Sequence, residues 1–172
     1  MSQFEKKVFP HQFDPKLMVD QNRELVGALP ANGMSRLRNV ALSMGPEVLV
    51  QLQFSFGLYG LPRISGKVSY ALGMRCERCL DEVKFVLEPT IQVLLKSENE
   101  SVAKESEEHE FYEYSDNNLE LANLIEDELL LVLPLAPKHQ DISLCNQDMV
   151  AWLALNKEPA QKVDNPFAIL KR

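Results

Sequence analysis

Cys76 and Cys79, spaced C-x-x-C within Arg75-Cys76-Glu77-Arg78-Cys79-Leu80, are the side chains of this sequence best suited to chemistry. A tight turn at that spacing points both thiolates at one ion, which makes half of a structural zinc centre. Such a centre takes four ligands, and His139 and Cys145 are the downstream residues of suitable type to complete a Cys3His set around one structural Zn2+. Two other readings compete. A reduced pair packs as small apolar side chains at a strand turn, and C-x-x-C is also the redox motif of thioredoxin-like proteins. Redox pairs open a helix inside a βαβ unit, where the first thiol is acidified. Here the pair falls between two alternating, strand-like stretches. Arg75 and Arg78 favour thiolates under the metal reading and the redox reading alike.

Glu126-Asp127-Glu128 is the second constellation to weigh. On a helix three consecutive residues fan over most of a turn, so the three carboxylates do not share one face. They read as a solvated face paired with nearby Lys or Arg, or as an acidic contact for a basic partner, or as ionic partners of Arg75 or Arg78. An acid/base pair would need a pocket that sequence does not reveal. Phosphate-cradling glycine loops, H-E-x-x-H and G-x-S-x-G are absent, and the three histidines (11, 109 and 139) are scattered, so catalysis is not expected. For RNA, the positive residues are Arg36, Arg38, Arg63, Lys67, Arg75 and Arg78. Lys67 and Arg75 share the outward parity of their strand, whereas Tyr70 has the core parity.

The elements that must hold these residues follow from periodicity. Val48, Val50, Leu52, Phe54, Phe56 and Leu58 alternate with polar residues as a half-buried strand does. Gly60-Leu61-Pro62 turns the chain, and residues 64–74 alternate again up to the cysteines. Val83, Phe85 and Leu87 begin a third strand that continues past Pro89 through Ile91, Val93 and Leu95. Three consecutive strands with short links predict an antiparallel meander. Upstream, Asp14-Pro15 has the cap and first-turn residues of a helix. Leu17, Met18, Leu25, Val26 and Leu29 then suit one helical face up to Pro30, with Gln21-Asn22 dividing it. Downstream, residues 97–110 are glutamate-rich with little to bury, which predicts a mobile, solvated loop. Residues 111–114 suit a short edge strand. Asn117 and Glu120 resemble a capping box for a helix carrying Leu121, Leu124, Ile125, Leu129 and Val132, with 129–133 buried and Pro134 as the stop. A last short helix is expected around Trp152, then a tail over 156–172 containing the apolar stretch Asn165-Pro166-Phe167-Ala168-Ile169-Leu170. The fold class is therefore α+β, a meander sheet packed on a leucine-rich helix with an N-terminal helical segment, within a single domain over 1–172.

Composition sets the bounds. Among 172 residues, 45% are hydrophobic and 25% charged, ordinary for a globular chain able to bury a core. The net charge of −7 repels phosphates on average, which disfavours broad nucleic-acid binding and makes a basic protein an easier partner. Residues 1–16 show no apolar run of the signal-peptide kind, and no stretch has the length of a membrane span. Three cysteines make no disulfide framework, so a reducing, cytoplasmic setting is expected.

Three blocks taken in order resemble the YceD family, described as large ribosomal RNA subunit accumulation proteins. They are Cys76 to Leu80, then Glu126-Asp127-Glu128-Leu129-Leu130-Leu131-Val132-Leu133-Pro134-Leu135-Ala136-Pro137-Lys138-His139, then Asn165 to Leu170. The resemblance covers nearly the whole chain. It implies a non-enzymatic, cytoplasmic ribosome-biogenesis factor that supports synthesis, processing or stability of 23S rRNA. The implied partners are 23S rRNA, a basic ribosomal or assembly protein, or a ribonuclease, without membrane or small-molecule substrate. Arg75, Arg78, Glu126, Asp127 and Glu128 are the candidate partner or RNA contacts. Some relatives resemble this chain but are richer in cysteine near the C-terminus, where it has Cys145 alone. The alternatives are a zinc-stapled protein-interaction module unrelated to ribosomes and a C-x-x-C thiol redox protein.

Overall fold

The structure, a computed structural model, describes residues 9, 12–100, 111–115 and 118–156. Its elements in chain order are β1 (Gln12–Phe13), α1 (Pro15–Asp20), β2 (Glu24–Pro30), α2 (Ser35–Val40), β3 (Ser43–Met44), β4 (Glu47–Phe56), β5 (Pro62–Arg75), β6 (Glu82–Leu87), β7 (Thr90–Ser97), β8 (Phe111–Tyr114), β9 (Leu119–Glu120), α3 (Leu121–Leu131) and α4 (Gln147–Leu155). The fold class is α+β. β5 is the middle of the main sheet. Along one edge it pairs antiparallel with β4 and then with β3, and along the other with β7 and then β6. The third strand of the expected meander is thus two strands, interrupted at Glu88-Pro89, that share one partner. β2 extends the sheet beyond β4, and β8 closes the far side parallel to β7.

Alternation decides which side is covered. In β4, Val48, Val50, Leu52 and Phe54 are buried while Glu47, Leu49, Gln51 and Gln53 are exposed. In β5, Ile64, Val68, Tyr70 and Leu72 continue the same face, and Lys67 and Arg75 point outward. Tyr70 is 1% exposed and its hydroxyl donates to the Gly45 carbonyl at 2.9 Å. Leu121, Leu124, Ile125 and Leu129 of α3 join this face in one core, with Val19 of α1 and Leu37 of α2. Each such burial contributes about 1.5–3 kcal/mol relative to exposure. A T-shaped contact between Phe13 and Phe54, with ring centroids 5.3 Å apart, ties the small β1–β9 ladder to the main sheet.

Several expectations are corrected. The Asp14 carboxylate does cap α1, accepting from Lys16 N at 2.8 Å with Pro15 in the first turn. The helix stops at Asp20, however, and Leu25, Val26 and Leu29 belong to strand β2, paired along its whole length with β4. Gly27 and Pro30 disfavour a helix there, and the open edge of β4 supplies the hydrogen bonds that a strand needs. α3 starts at Leu121, capped by Glu120 without a side-chain bond, rather than at a capping box. Asn117 lies outside the described residues. The helix is also not buried all round at its end: Leu129 is covered, but Leu131 is 78% exposed and Val132 caps the helix at the surface. A period of 3.6 residues lets only one stripe meet the sheet. Residues 101–110 of the acidic loop and 157–172 of the tail lie outside the described residues, and so does the expectation of mobility for the loop.

Candidate metal centre

The cysteine turn is built by strand ends. β5 carries the chain to Arg75, and Cys76 N donates to the Asp81 carbonyl at 2.8 Å before β6 leaves. Within the turn Leu80 N donates to Cys76 O at 2.9 Å, and Leu80 adopts φ 66°. That left-handed residue reverses the chain just after Cys79, so both sulfurs stay on the same side. The second half comes from the segment between α3 and α4. Glu77 N donates to the Pro137 carbonyl at 2.8 Å, which sets the loop against the turn two residues before His139. Asp141 then caps the short turn Ile142–Leu144 by accepting from Ser143 N at 2.8 Å, and this turn delivers Cys145. Asn146 accepts from Asp148 N and Met149 N and starts α4.

All four expected ligands converge. One donor atom from each of Cys76, Cys79, His139 and Cys145 lies within 4.8 Å of the other three. His139 Nδ1 is 3.6 Å from Cys79 Sγ and 3.7 Å from Cys145 Sγ. A tetrahedral centre with zinc–sulfur bonds of ~2.3 Å has edges of about 3.7 Å, so these separations fit one ion. The three thiols are buried and His139 is half-buried. They form a satellite cluster with Val83, against which Phe85, Met149 and Val150 pack, distinct from the main core. Burial pushes the Cys76 thiol up. Backbone N–H groups of Cys79, His139 and Arg78, with the His139 ring, outweigh it and bring the thiol down to about 6. Burial raises the Cys145 thiol, partly offset by Arg78, whose Nη1 lies 3.7 Å from Cys145 Sγ. Three sulfurs and an imidazole suit zinc as a closed structural site, with all four positions filled by protein. The pair sits in a strand–strand turn and opens no helix, unlike the thioredoxin arrangement.

The charged candidates do not gather at this centre. Arg78 touches it, and Arg75 is exposed at the end of β5 opposite Glu82. Glu126 is 2% exposed. It accepts from Leu37 N at 2.9 Å and from Arg36 Nε at 3.0 Å, and Asp127 takes the other end of the same guanidinium. Glu126 therefore caps the first turn of α2 across 89 residues of sequence, and its partner is Arg36 rather than Arg75 or Arg78. That pairing left no signal in the sequence, because tertiary contacts at such separation carry no periodicity. Glu128 is half-buried beside them. Sequence reading also missed the groove beside the cysteines, lined by Leu80, Asp81, Met149 and Trp152. The hint was a terminal helix rich in large apolar residues.

Comparison with known proteins places these features. Residues 64–172 match the sequence model of the family described as large ribosomal RNA subunit accumulation protein YceD, a span that includes all four candidate ligands. A protein of that description from Haemophilus influenzae is 29% identical over 171 residues, covering 96% of both chains. No solved structure matches. By the extent of the match, this chain belongs to the YceD family.

Proposed function

We propose that this chain is a cytoplasmic, non-enzymatic ribosome-biogenesis factor that supports synthesis, processing or stability of 23S rRNA in large-subunit assembly. The observation that carries the reading is a likeness to a large ribosomal RNA subunit accumulation protein running through 96% of both chains. The closed character of the Cys3His cluster supports it. A site whose four positions are all filled by protein donors holds structure and leaves no position for a substrate. Among the described residues no helix is long and apolar enough to cross a membrane.

In this reading Cys76, Cys79, His139 and Cys145 hold one structural zinc that staples the α3–α4 segment to the β5–β6 turn. Arg75 is a contact for the partner, and Glu126 and Asp127 act within the fold by holding α2. Deleting the gene should lower 23S relative to 16S rRNA, measured on total RNA; an unchanged ratio removes the reading. Protein purified without chelator should carry about one zinc per chain, as a single four-ligand site requires. Cys76→Ser and Cys79→Ser should lower the melting temperature more than Cys145→Ser, because they also loosen the turn joining β5 and β6. Melting of all three variants indistinguishable from that of the unmodified protein contradicts the staple.

A further inference from the structure

The turn that carries Cys79 and the helix that follows Cys145 leave a groove between them, lined by Cys79, Leu80, Asp81, Asp148, Met149 and Trp152 among others. Leu80 is 52% and Trp152 57% exposed, two large apolar side chains facing water across one depression. α4 buries none of its residues, and Leu153 and Leu155 continue its exposed apolar surface. Apolar surface rimmed by polar groups marks a place where another molecule sits. The rim here is acidic: Asp81 and Asp148 line the groove, and among the described residues no Lys or Arg does.

We propose that this groove docks a cationic amphipathic segment of a partner protein. The segment inserts a bulky apolar side chain between Leu80 and Trp152 and sets Lys or Arg against Asp81 and Asp148. Charge decides among the possible occupants. RNA would bring phosphates up to two carboxylates, and a second copy, itself at −7, would set acid against acid. A cationic amphipathic segment gains apolar burial and charge complementarity together. The inference deepens the assembly-factor reading by naming the chemistry of the partner, and it rests on that reading for the source. Proteins that neutralise rRNA phosphates are rich in such basic segments.

Trp152 is the one tryptophan of the chain, so its emission reports on the groove. The experiment titrates full-length protein, with zinc content measured for every variant, with a helical Leu/Lys peptide and its Leu/Glu counterpart. The Leu/Lys peptide should shift Trp152 emission to the blue and saturate, and the Leu/Glu peptide should not. Replacing both Asp81→Asn and Asp148→Asn should weaken binding roughly tenfold or more at unchanged zinc content, as should Leu80→Ser, since few residues carry most of an interface's affinity. Glu24→Gln, an exposed acid on β2, should leave affinity as it was. Equal affinities for the Asp81/Asp148 double variant and Glu24→Gln would reduce the effect to general attraction and overturn the proposal. So would a shift of Trp152 emission on adding an RNA oligonucleotide in place of peptide. A shift caused by Phe167→Ala without any ligand would assign the groove to the chain's own tail and overturn it equally. Peptide binding can fail while 23S accumulation still depends on the gene, so the two readings fall separately.

Discussion

Leu80 holds the cysteine turn in a backbone conformation that side chains with a Cβ rarely adopt, at φ 66°. A left-handed L-residue costs roughly 1–2 kcal/mol, and glycine would relieve that at its own entropic expense of about 0.5–1 kcal/mol. Leu80→Gly should therefore leave stability within about 1 kcal/mol. Leu80→Val should destabilise by about 1–2 kcal/mol more than Leu80→Gly, because a β-branched side chain is a true outlier there. Urea unfolding of the two variants side by side checks this; Val equal to Gly would mean that the turn is unstrained. On α3, the Glu126 carboxylate is buried while its guanidinium partner is half exposed, so solvent weakens the pair and the bond to Leu37 N carries more of the effect. Glu126→Ala should cost about 2–3 kcal/mol by leaving the first turn of α2 uncapped. Glu126→Gln should recover part of that, since an amide oxygen still accepts from Leu37 N. Equal losses for Ala and Gln in denaturant titration would show the charge, not the cap, to matter.

At the scale of elements, the sheet depends on how closely its strands approach β5. Gly66 stands on the core side of β5, paired with Leu52 on one side and Ile91 on the other. A Cβ there would run into the Gln51 carbonyl oxygen and come within 2.9 Å of Leu52 Cα, at a φ of +156°. Gly66→Ala should therefore destabilise by about 2–4 kcal/mol, in the range of other overpacked positions, read as a fall in the denaturation midpoint. A neutral result would mean that β4 can shift away from β5. The meander itself was legible because Val48 to Phe54 and Ile64 to Leu72 alternate over long stretches bounded by turn residues, a signal local to each strand. β2 was not legible as a strand. Leu25, Val26 and Leu29 fit a helical stripe as well as an extended one, and only the open edge of β4 decides between them. The parallel direction of β8 was hidden for the same reason, since direction is settled by the partner. The convergence of Cys76, Cys79, His139 and Cys145 could be read because sulfur and imidazole are rare in this chain, so few combinations were available. The pairing of Glu126 with Arg36 could not, because charged residues are common and neither position is marked.

Taken whole, the molecule has a large core under the sheet and a small one around the cysteines, with Phe85 packed against both. The lesser of the two is composed mainly of groups that a metal ion would organise, and Cys145, Met149 and Val150 bring the segment beyond α3 to it. β5 is hydrogen-bonded along both edges by four different strands, and only residues before Ile64 supply β4 and β3 on one of them. The family match begins at Ile64, inside that strand. A fragment cut there would keep every cysteine and yet open a long row of unsatisfied amides, and it would lose the side chains of Val48, Val50, Leu52 and Phe54 from beneath the sheet. Bare strand margins recruit one another. The fragment should go into inclusion bodies, and adding back a peptide spanning residues 43–61 should return part of it to solution. The start of the family model is thus no place to divide this protein, which needs the strands before it to stand at all.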